Sequence, residues 1–304
     1  MILAPIVIFV YNRIWHTKQT ISALKENILA KDSHLIIYSD AAKSKDDIDK
    51  VNEVRQYLNE ITGFCSKEII FQESNLGLAK SIISGVTDTV NKYGKIIVLE
   101  DDLITSPYFL TFMNEALDFY KDENKVVSIH GYMYPVLEDL PETFFLRGAQ
   151  CWGWATWKRG WDLFDADAKS LINQIQKKKL RYLFDRKGTY PFFKMLKEQA
   201  MGEIDSWAIR WQASAFLNDK LTLYPRDSLV KNIGFDGSGV HCGPEQSVFN
   251  VEVSSHKVNV ENEVIEQSAK AHSVIENYYN NLNNGSKIKR KLKDIIRNVF
   301  NIDM

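Results

Sequence analysis

The sequence has little that would staple or anchor it. Only three cysteines occur, Cys65, Cys151 and Cys242, far apart and without a CxxC spacing. That pattern points to neither a disulfide framework nor a cysteine-built zinc site, and it fits a reducing cytoplasm. No run of eighteen apolar residues exists, so no membrane-spanning helix is expected. The stretch Met1–Pro5 has no basic segment and no cleavage site, so no signal peptide is expected. An excess of one charge is also missing. The formal net charge is -1, which gives no global attraction to nucleic acid. Two nucleotide fingerprints are absent. No GxGxxG follows the first apolar run, and no GxxxxGK[ST] occurs, so neither the dinucleotide motif nor a P-loop is present.

What is there is an ordinary globular balance. The 304 residues are 45% hydrophobic and 25% charged, enough for one large domain or two small ones. The most telling stretch runs from Lys95 to Leu103, where Ile96-Ile97-Val98-Leu99 ends abruptly in Glu100-Asp101-Asp102. A short apolar run rich in β-branched residues reads as a buried, parallel strand. Its acids then sit at the carboxyl edge of the sheet, where open α/β sheets bind ligands. Three adjacent carboxylates repel one another. A hard divalent cation, Mn2+ or Mg2+, is the usual compensator and often bridges to phosphates. A solvated acidic turn is the alternative reading.

The preceding residues repeat the pattern. Pro5–Tyr11 reads as a strand ending at Asn12-Arg13, and His34–Tyr38 as a strand ending at Ser39-Asp40. Lys67–Phe71 is a third strand, followed by Asn75-Leu76-Gly77. Helical spacing fills the gaps over Trp15–Leu29, Lys45–Glu60 and Leu78–Asn91. Four alternations predict an α/β fold with a Rossmann-like, mostly parallel sheet flanked by helices. Arg13 and several acids gathered at one edge suit a nucleotide diphosphate with a metal.

After Asp102 the pattern loosens. Pro107–Tyr120 reads as a helix, Val126–His130 and Phe144–Gly148 as strands. Four of the seven tryptophans fall between Trp152 and Trp161. They read as a platform for sugar rings or bases, or as a core helix with its indoles turned inward. Ala168–Met201 reads as helical, with Lys177-Lys178-Lys179 on a solvated face. Asp205 precedes a helix over Ala208–Asn218, where an N-cap role is the simple alternative. Asn232–Pro244, rich in glycine and polar residues, reads as a mobile loop near a ligand. Glu263–Asn283 has helical character and Asn283-Asn284-Gly285 is expected to break it. Residues 287–300 form a basic amphipathic segment suited to an anionic membrane surface or a partner.

Taken in order, a strand ending in Arg13, one ending in Ser39-Asp40, one ending in Glu100-Asp101-Asp102, and a helix at Ser106-Pro107-Tyr108-Phe109 resemble the GT-A glycosyltransferases. The likeness is nearest the inverting branch of animal N-acetylglucosaminyltransferase I, and bacterial glycosyltransferases of polysaccharide and glycan assembly share the layout. It runs from about Pro5 to Gly243 and is closest over Ile97–Phe112. The resemblance implies that Asp102 ligates Mn2+ or Mg2+ on the donor diphosphate, and that Glu100 and Asp101 hold the ribose and the donor sugar. It implies that Arg13 and Asp40 contact the nucleotide, Asp40 at the uracil edge. Asn75 stands where that family uses a base-contacting polar residue, but with Asn in place of His. Ile204-Asp205-Ser206-Trp207 matches the family's catalytic segment, which makes Asp205 the general base. The spacing from the metal motif is longer than the family pattern.

Inverting transfer independently needs one carboxylate at the metal and a remote one to take the acceptor's proton. Asp165, Asp167 and Asp236 are rivals for the second role, and His241 is a candidate second metal ligand. Trp152, Trp154 and Trp207 are candidates for the sugar platform. The expected activity is an inverting, metal-dependent transfer from a UDP-sugar to a glycan or lipid-linked glycan. The expected arrangement is a catalytic domain over 1–250, divided into a nucleotide half (1–103) and an acceptor half (104–250), with a helical tail over 251–304. It is expected to be cytoplasmic, with residues 287–300 at the inner membrane face, and to take no nucleic acid. Two other readings remain. A sugar nucleotidyltransferase would carry a glycine-rich loop after the first strand, and Tyr11-Asn12-Arg13-Ile14 has no glycine. A non-catalytic nucleotide-sugar or glycan scaffold would not need the intact Glu-Asp-Asp.

Overall fold

The computed structural model describes residues 2–237, 248–261 and 264–300, with side chains described as far as residue 284. The first half builds as its alternating pattern dictates. Strands β1 (Ile6–Val10), β2 (His34–Ser39), β3 (Ser66–Phe71) and β4 (Lys95–Glu100) alternate with helices α1 (Ile14–Lys25), α2 (Ile48–Glu60) and α3 (Leu78–Tyr93). The four strands run parallel in the order β3-β2-β1-β4. Because side chains alternate along a strand, β1 feeds both faces of the sheet. Ile6, Ile8 and Val10 enter one apolar core, and Val7 and Phe9 enter the other. A strand apolar on both faces belongs inside a helix-covered sheet.

The second half extends the same sheet. Its elements are β5 (Leu103–Thr105), α4 (Phe109–Phe119), β6 (Val126–His130), β7 (Thr143–Arg147), β8 (Trp154–Trp157) and α5 (Lys158–Trp161). Helices α6 (Ala168–Lys177), α7 (Arg181–Phe184), α8 (Phe192–Met201) and α9 (Trp207–Leu217) follow, then β9 (Leu221–Pro225) and β10 (Val230–Asn232). The complete order is β3-β2-β1-β4-β8-β6-β9-β7. Strand β8 inserts antiparallel between β4 and β6, and β7 is antiparallel to β9 at the edge. Six strands therefore share one direction, and the carboxyl ends of β1, β2, β4 and β6 lie along one edge. Strands β5 and β10 form a separate antiparallel pair that brings residues 230–232 against the segment just after Asp102.

The fold is the mostly parallel, helix-flanked sheet expected of the GT-A resemblance, with a helical C-terminal extension. Three local expectations are corrected. The tryptophan segment is neither helix nor open platform: Trp154–Trp157 is a central strand. The helical stretch over Ala168–Met201 is three helices, broken where Lys179, Arg186 and Lys187 take left-handed conformations (φ 56°, 46° and 54°). Asn283-Asn284-Gly285 does not stop the last helix, α10, which runs unbroken over Ala269–Phe300. That helix is tied to the sheet by its approach, with Ser268 N–H donating to the Phe145 carbonyl at 2.9 Å. The segment 287–300 lies in α10, and its side chains fall outside those described. Among the described residues, no helix is long and apolar enough to cross a membrane.

Candidate active site

The acids after β4 are held by the residue after β1. Arg13 bonds both Asp101 and Asp102, the latter from Nη2 to Oδ2 at 2.8 Å. Adjacent parallel strands put these two turns side by side, with Phe9 paired to Glu100 in the register. One guanidinium faces three carboxylates, so negative charge is in excess. Burial, then the charges of Asp102 and Asp101, push the Glu100 carboxyl well above the usual range. Burial also pushes Asp101 up, although Arg13 pulls it back. Arg13 Nη1 is buried with no hydrogen-bond partner. Burying a charged donor unpaired beside surplus carboxylates is costly, which marks this strand end as more than a solvated acidic turn.

Asp40 and Asn75, 35 residues apart, meet at the end of β2. Asn75 Nδ2 donates to Asp40 Oδ2 at 3.1 Å, and the backbone N–H groups of Leu76 and Gly77 donate to the same carboxylate at 2.9 Å. Ala41 N–H adds a fourth bond. Gly77 adopts φ +74°, a left-handed turn that glycine accommodates and that launches α3. Asp40 thus fastens the 75–77 loop, and its oxygens are already engaged.

The loop after β10 closes over the same edge. Ile233 N–H donates to the Asp102 carbonyl at 2.9 Å, and Gly234 N–H to Asn232 Oδ1 at 2.7 Å. Buried His16 places Nε2 3.1 Å from Asp236 Oδ2. Residues 233, 234 and 236 thus have fixed partners, and the rest of the Asn232–Pro244 loop, from 238 on, lies outside the described residues. His241 lies outside the described residues.

A cavity of about 230 Å³ opens beside this edge, and it unites residues that are remote in sequence. Glu100, Asp102, Trp152, Asp205 and Trp207 all line it. Ser206, not Asp205, caps α9, with its hydroxyl accepting from Ile209 N–H at 3.3 Å. Asp205 is left exposed at the cavity, with Arg210 Nη2 3.4 Å away. The rival acids are otherwise occupied. Asp167 caps α6, Asp165 accepts from the Asp167 N–H, and Asp236 pairs with His16. Trp154 is a correction. It is fully buried, packed against Trp161, Trp207 and Trp211 with centroids 5.3–6.0 Å apart, so its faces are closed to a sugar.

Sequence reasoning missed the far wall. His130, Tyr132, Tyr134, Tyr190, Phe192 and Tyr279 line it, drawn from β6, the loop after it, the turn before α8, the start of α8, and α10. Spacing gave no signal for these, because they converge only through the sheet order. Gln212 was missed as well; its Oε1 accepts from Ala149 N–H at 2.7 Å and fixes the segment leading to Trp152.

Among the described residues, no three His, Cys, Asp or Glu side chains gather into a preformed metal cage. The donor set still fits a hard cation of the kind that keeps waters and is shared with substrate phosphates, since that mode needs only one or two protein carboxylates. Asp102, buried and facing the cavity, is the ligand such an ion would take, with Glu100 beside it.

No protein-family model and no curated protein matches the sequence. Among solved structures, the chain is similar to the mannosyltransferase PcManGT from Pyrobaculum calidifontis, in complex with GDP-Man and Mn2+. The identity is 11%, over 43% of this chain and 35% of that one, with a TM-score of 0.33. It is also similar to TarS of S. aureus. For TarS 1–349 the identity is 12% over 75% of this chain and 59% of that one, TM-score 0.41. For a longer TarS chain it is 11% over 75% and 36%, TM-score 0.39. The chain spans about a third to three-fifths of the length of these proteins, and the likeness is one of layout alone.

Proposed function

We propose that this protein is an inverting, metal-dependent glycosyltransferase that moves a sugar from a UDP-sugar to a glycan hydroxyl. The observation that carries this reading is the meeting of Asp102 and Asp205 in one cavity. They are a hundred residues apart in the chain, and inverting transfer needs two separated carboxylates with different tasks. Asp102 would hold Mn2+ or Mg2+, which when bound offsets charge on the departing diphosphate. Arg13, with Nη1 unpaired, would donate to the nucleotide end of the donor. Asp40 and Asn75 shape the adjoining loop, so the base would meet a wall already set. Glu100 and Asp101 would flank the ribose and the donor sugar. Asp205, exposed to the cavity, would accept the acceptor hydroxyl's proton as that oxygen attacks. Trp152, half-buried, would pack against a sugar face, whereas Trp207 lines the cavity but is 3% exposed and stacked on Trp154, which corrects its expected platform role. The acceptor would be a glycan or lipid-linked glycan, and residues 287–300 would lie at an anionic membrane surface.

The experiment is a thermal shift with UDP, a panel of UDP-sugars and GDP-mannose, with and without Mn2+, on the native protein and Asp102→Ala. A ligand at about a hundred times its dissociation constant stabilises by roughly 2.7 kcal/mol. A Mn2+-dependent rise that Asp102→Ala abolishes is the expected result, and the best sugar names the donor. A rise with GDP-mannose alone would replace the uridine assignment. No rise with any nucleotide would remove the donor site.

A further inference from the structure

The cavity has a second polar feature that the two-carboxylate chemistry leaves unused. His130 ends β6 and lines the cavity, 2% exposed. Its Nδ1 is buried with no hydrogen-bond partner. The Tyr224 and Tyr132 rings stand around it, with centroids 5.0 and 6.2 Å from its own. A buried polar atom without a partner costs free energy, and a turn of this ring toward the cavity it lines would let a ligand supply the missing bond.

Position and chemistry narrow the ligand. Trp154 is paired with Val98 on β4 and with His130 on β6, so the three share one row across the sheet. Two strand spacings, about 10 Å, separate β4 from β6. His130 therefore stands well to one side of the acidic strand end, on the aromatic side of the cavity. Its imidazole is neutral, held so by burial and by the charge of Arg186. A neutral imidazole offers one N–H and one lone pair, which matches a hydroxyl, itself both donor and acceptor. It offers no charge to attract a phosphate. Trp152 and Tyr190, both half-buried at the cavity, supply ring faces that pack on a sugar.

We propose that His130 hydrogen-bonds a saccharide hydroxyl within the aromatic part of the cavity, and so selects the sugar bound there. This rests on the glycosyltransferase reading above. The sugar belongs either to the donor or to the acceptor, and the two are separable by experiment.

Binding of UDP, UDP-glucose, UDP-N-acetylglucosamine and a set of methyl glycosides is measured by calorimetry and saturation-transfer NMR. The proteins are the full chain, His130→Phe and His130→Asn. His130→Phe keeps an aromatic ring, slightly larger, but cannot hydrogen-bond, and its melting curve checks that it folds. UDP affinity should be equal in all three. Saccharide affinity should fall about tenfold in His130→Phe and recover in His130→Asn. A loss confined to UDP-sugars places the hydroxyl on the donor, and one confined to methyl glycosides places it on the acceptor. Equal saccharide affinity in native protein and a folded His130→Phe overturns the proposal, as does native protein that binds no saccharide in either form. Native protein that binds methyl glycosides but no nucleotide refutes the donor reading and still leaves His130 to be judged by the glycosides.

Discussion

Gly234 lies so close to the Asp102 carboxylate that a Cβ on it would overlap Oδ2. The glycine is therefore part of the shape that holds the acid at the cavity. Gly234→Ala should push the carboxylate or the 232–237 loop aside. The expected result is UDP binding in the presence of Mn2+ that weakens by roughly tenfold or more, as for the loss of a charge-assisted contact. Titration calorimetry of the variant checks this, and an unchanged dissociation constant would show that the close approach has no bearing on the donor.

Asp205→Asn removes a proton acceptor while keeping size and polarity. Transfer should fall by about a hundredfold to ten-thousandfold, the range for a general base. Donor affinity should stay within a factor of about two, because Asp205 is assigned to the acceptor's proton and not to the donor. Single-turnover rates and UDP-sugar titration separate the two quantities. A variant that keeps full activity returns the role to another group.

The two neighbouring tryptophans should part company. Trp154 is fully buried among three other indoles, and Trp154→Ala should cost about 3–5 kcal/mol of stability. Trp152 is only partly buried and faces the cavity, with Tyr132 and Phe235 beside it at 4.8 and 5.7 Å. Trp152→Ala should cost clearly less stability but weaken saccharide binding. Urea unfolding together with glycoside titration would reveal a reversed order.

Stability should fall with acid in a way that His130 controls. Burial, then the charge of Arg186, push its pKa down to about 3. An unfolded histidine takes up a proton near pH 6.5, as for the model side chain. Below about pH 6.5 the unfolded chain binds a proton that the folded one refuses. The contribution is thus intact above about pH 6.5 and is lost as pH falls towards about 3, with a slope of up to about 1.4 kcal/mol per pH unit. His130→Phe lacks this term. His272, also pushed down by burial, is common to both proteins and cancels in the comparison. Urea unfolding between about pH 4.5 and 7.5 should show the variant gaining on the native protein as pH drops. Parallel curves would mean that His130 titrates in the fold.

The sequence made the nucleotide half of the fold readable because local rules act there without interference. β1, β2 and β4 are short, largely apolar runs, β1 to β3 each lead on to a helix, and the strand ends carry their polar residues in view. Arg13, Asp40, Asn75 and the acids after β4 were legible for that reason. Their mutual bonding was not, since it depends on which strands lie side by side. The Trp154–Trp157 strand was misread because both of its faces are buried, so four residues show no alternation. The first break between Ala168 and Met201 was hidden because it falls on Lys179, which does not announce a left-handed turn, whereas the second holds Gly188 and Pro191, turn signals that the reading passed over. Asn283-Asn284-Gly285 misled in the opposite sense, its weak helix propensity overridden within a long helix. His130 carried no signal at all, being a lone histidine at the end of an apolar strand.

The cavity wall begins at Leu78 and is completed by Tyr279 of α10. Residues 1–250 carry every carboxylate assigned a role above, yet without α10 the chamber lacks a side. A chain with α10 displaced would hold those acids in an open trough that water can enter.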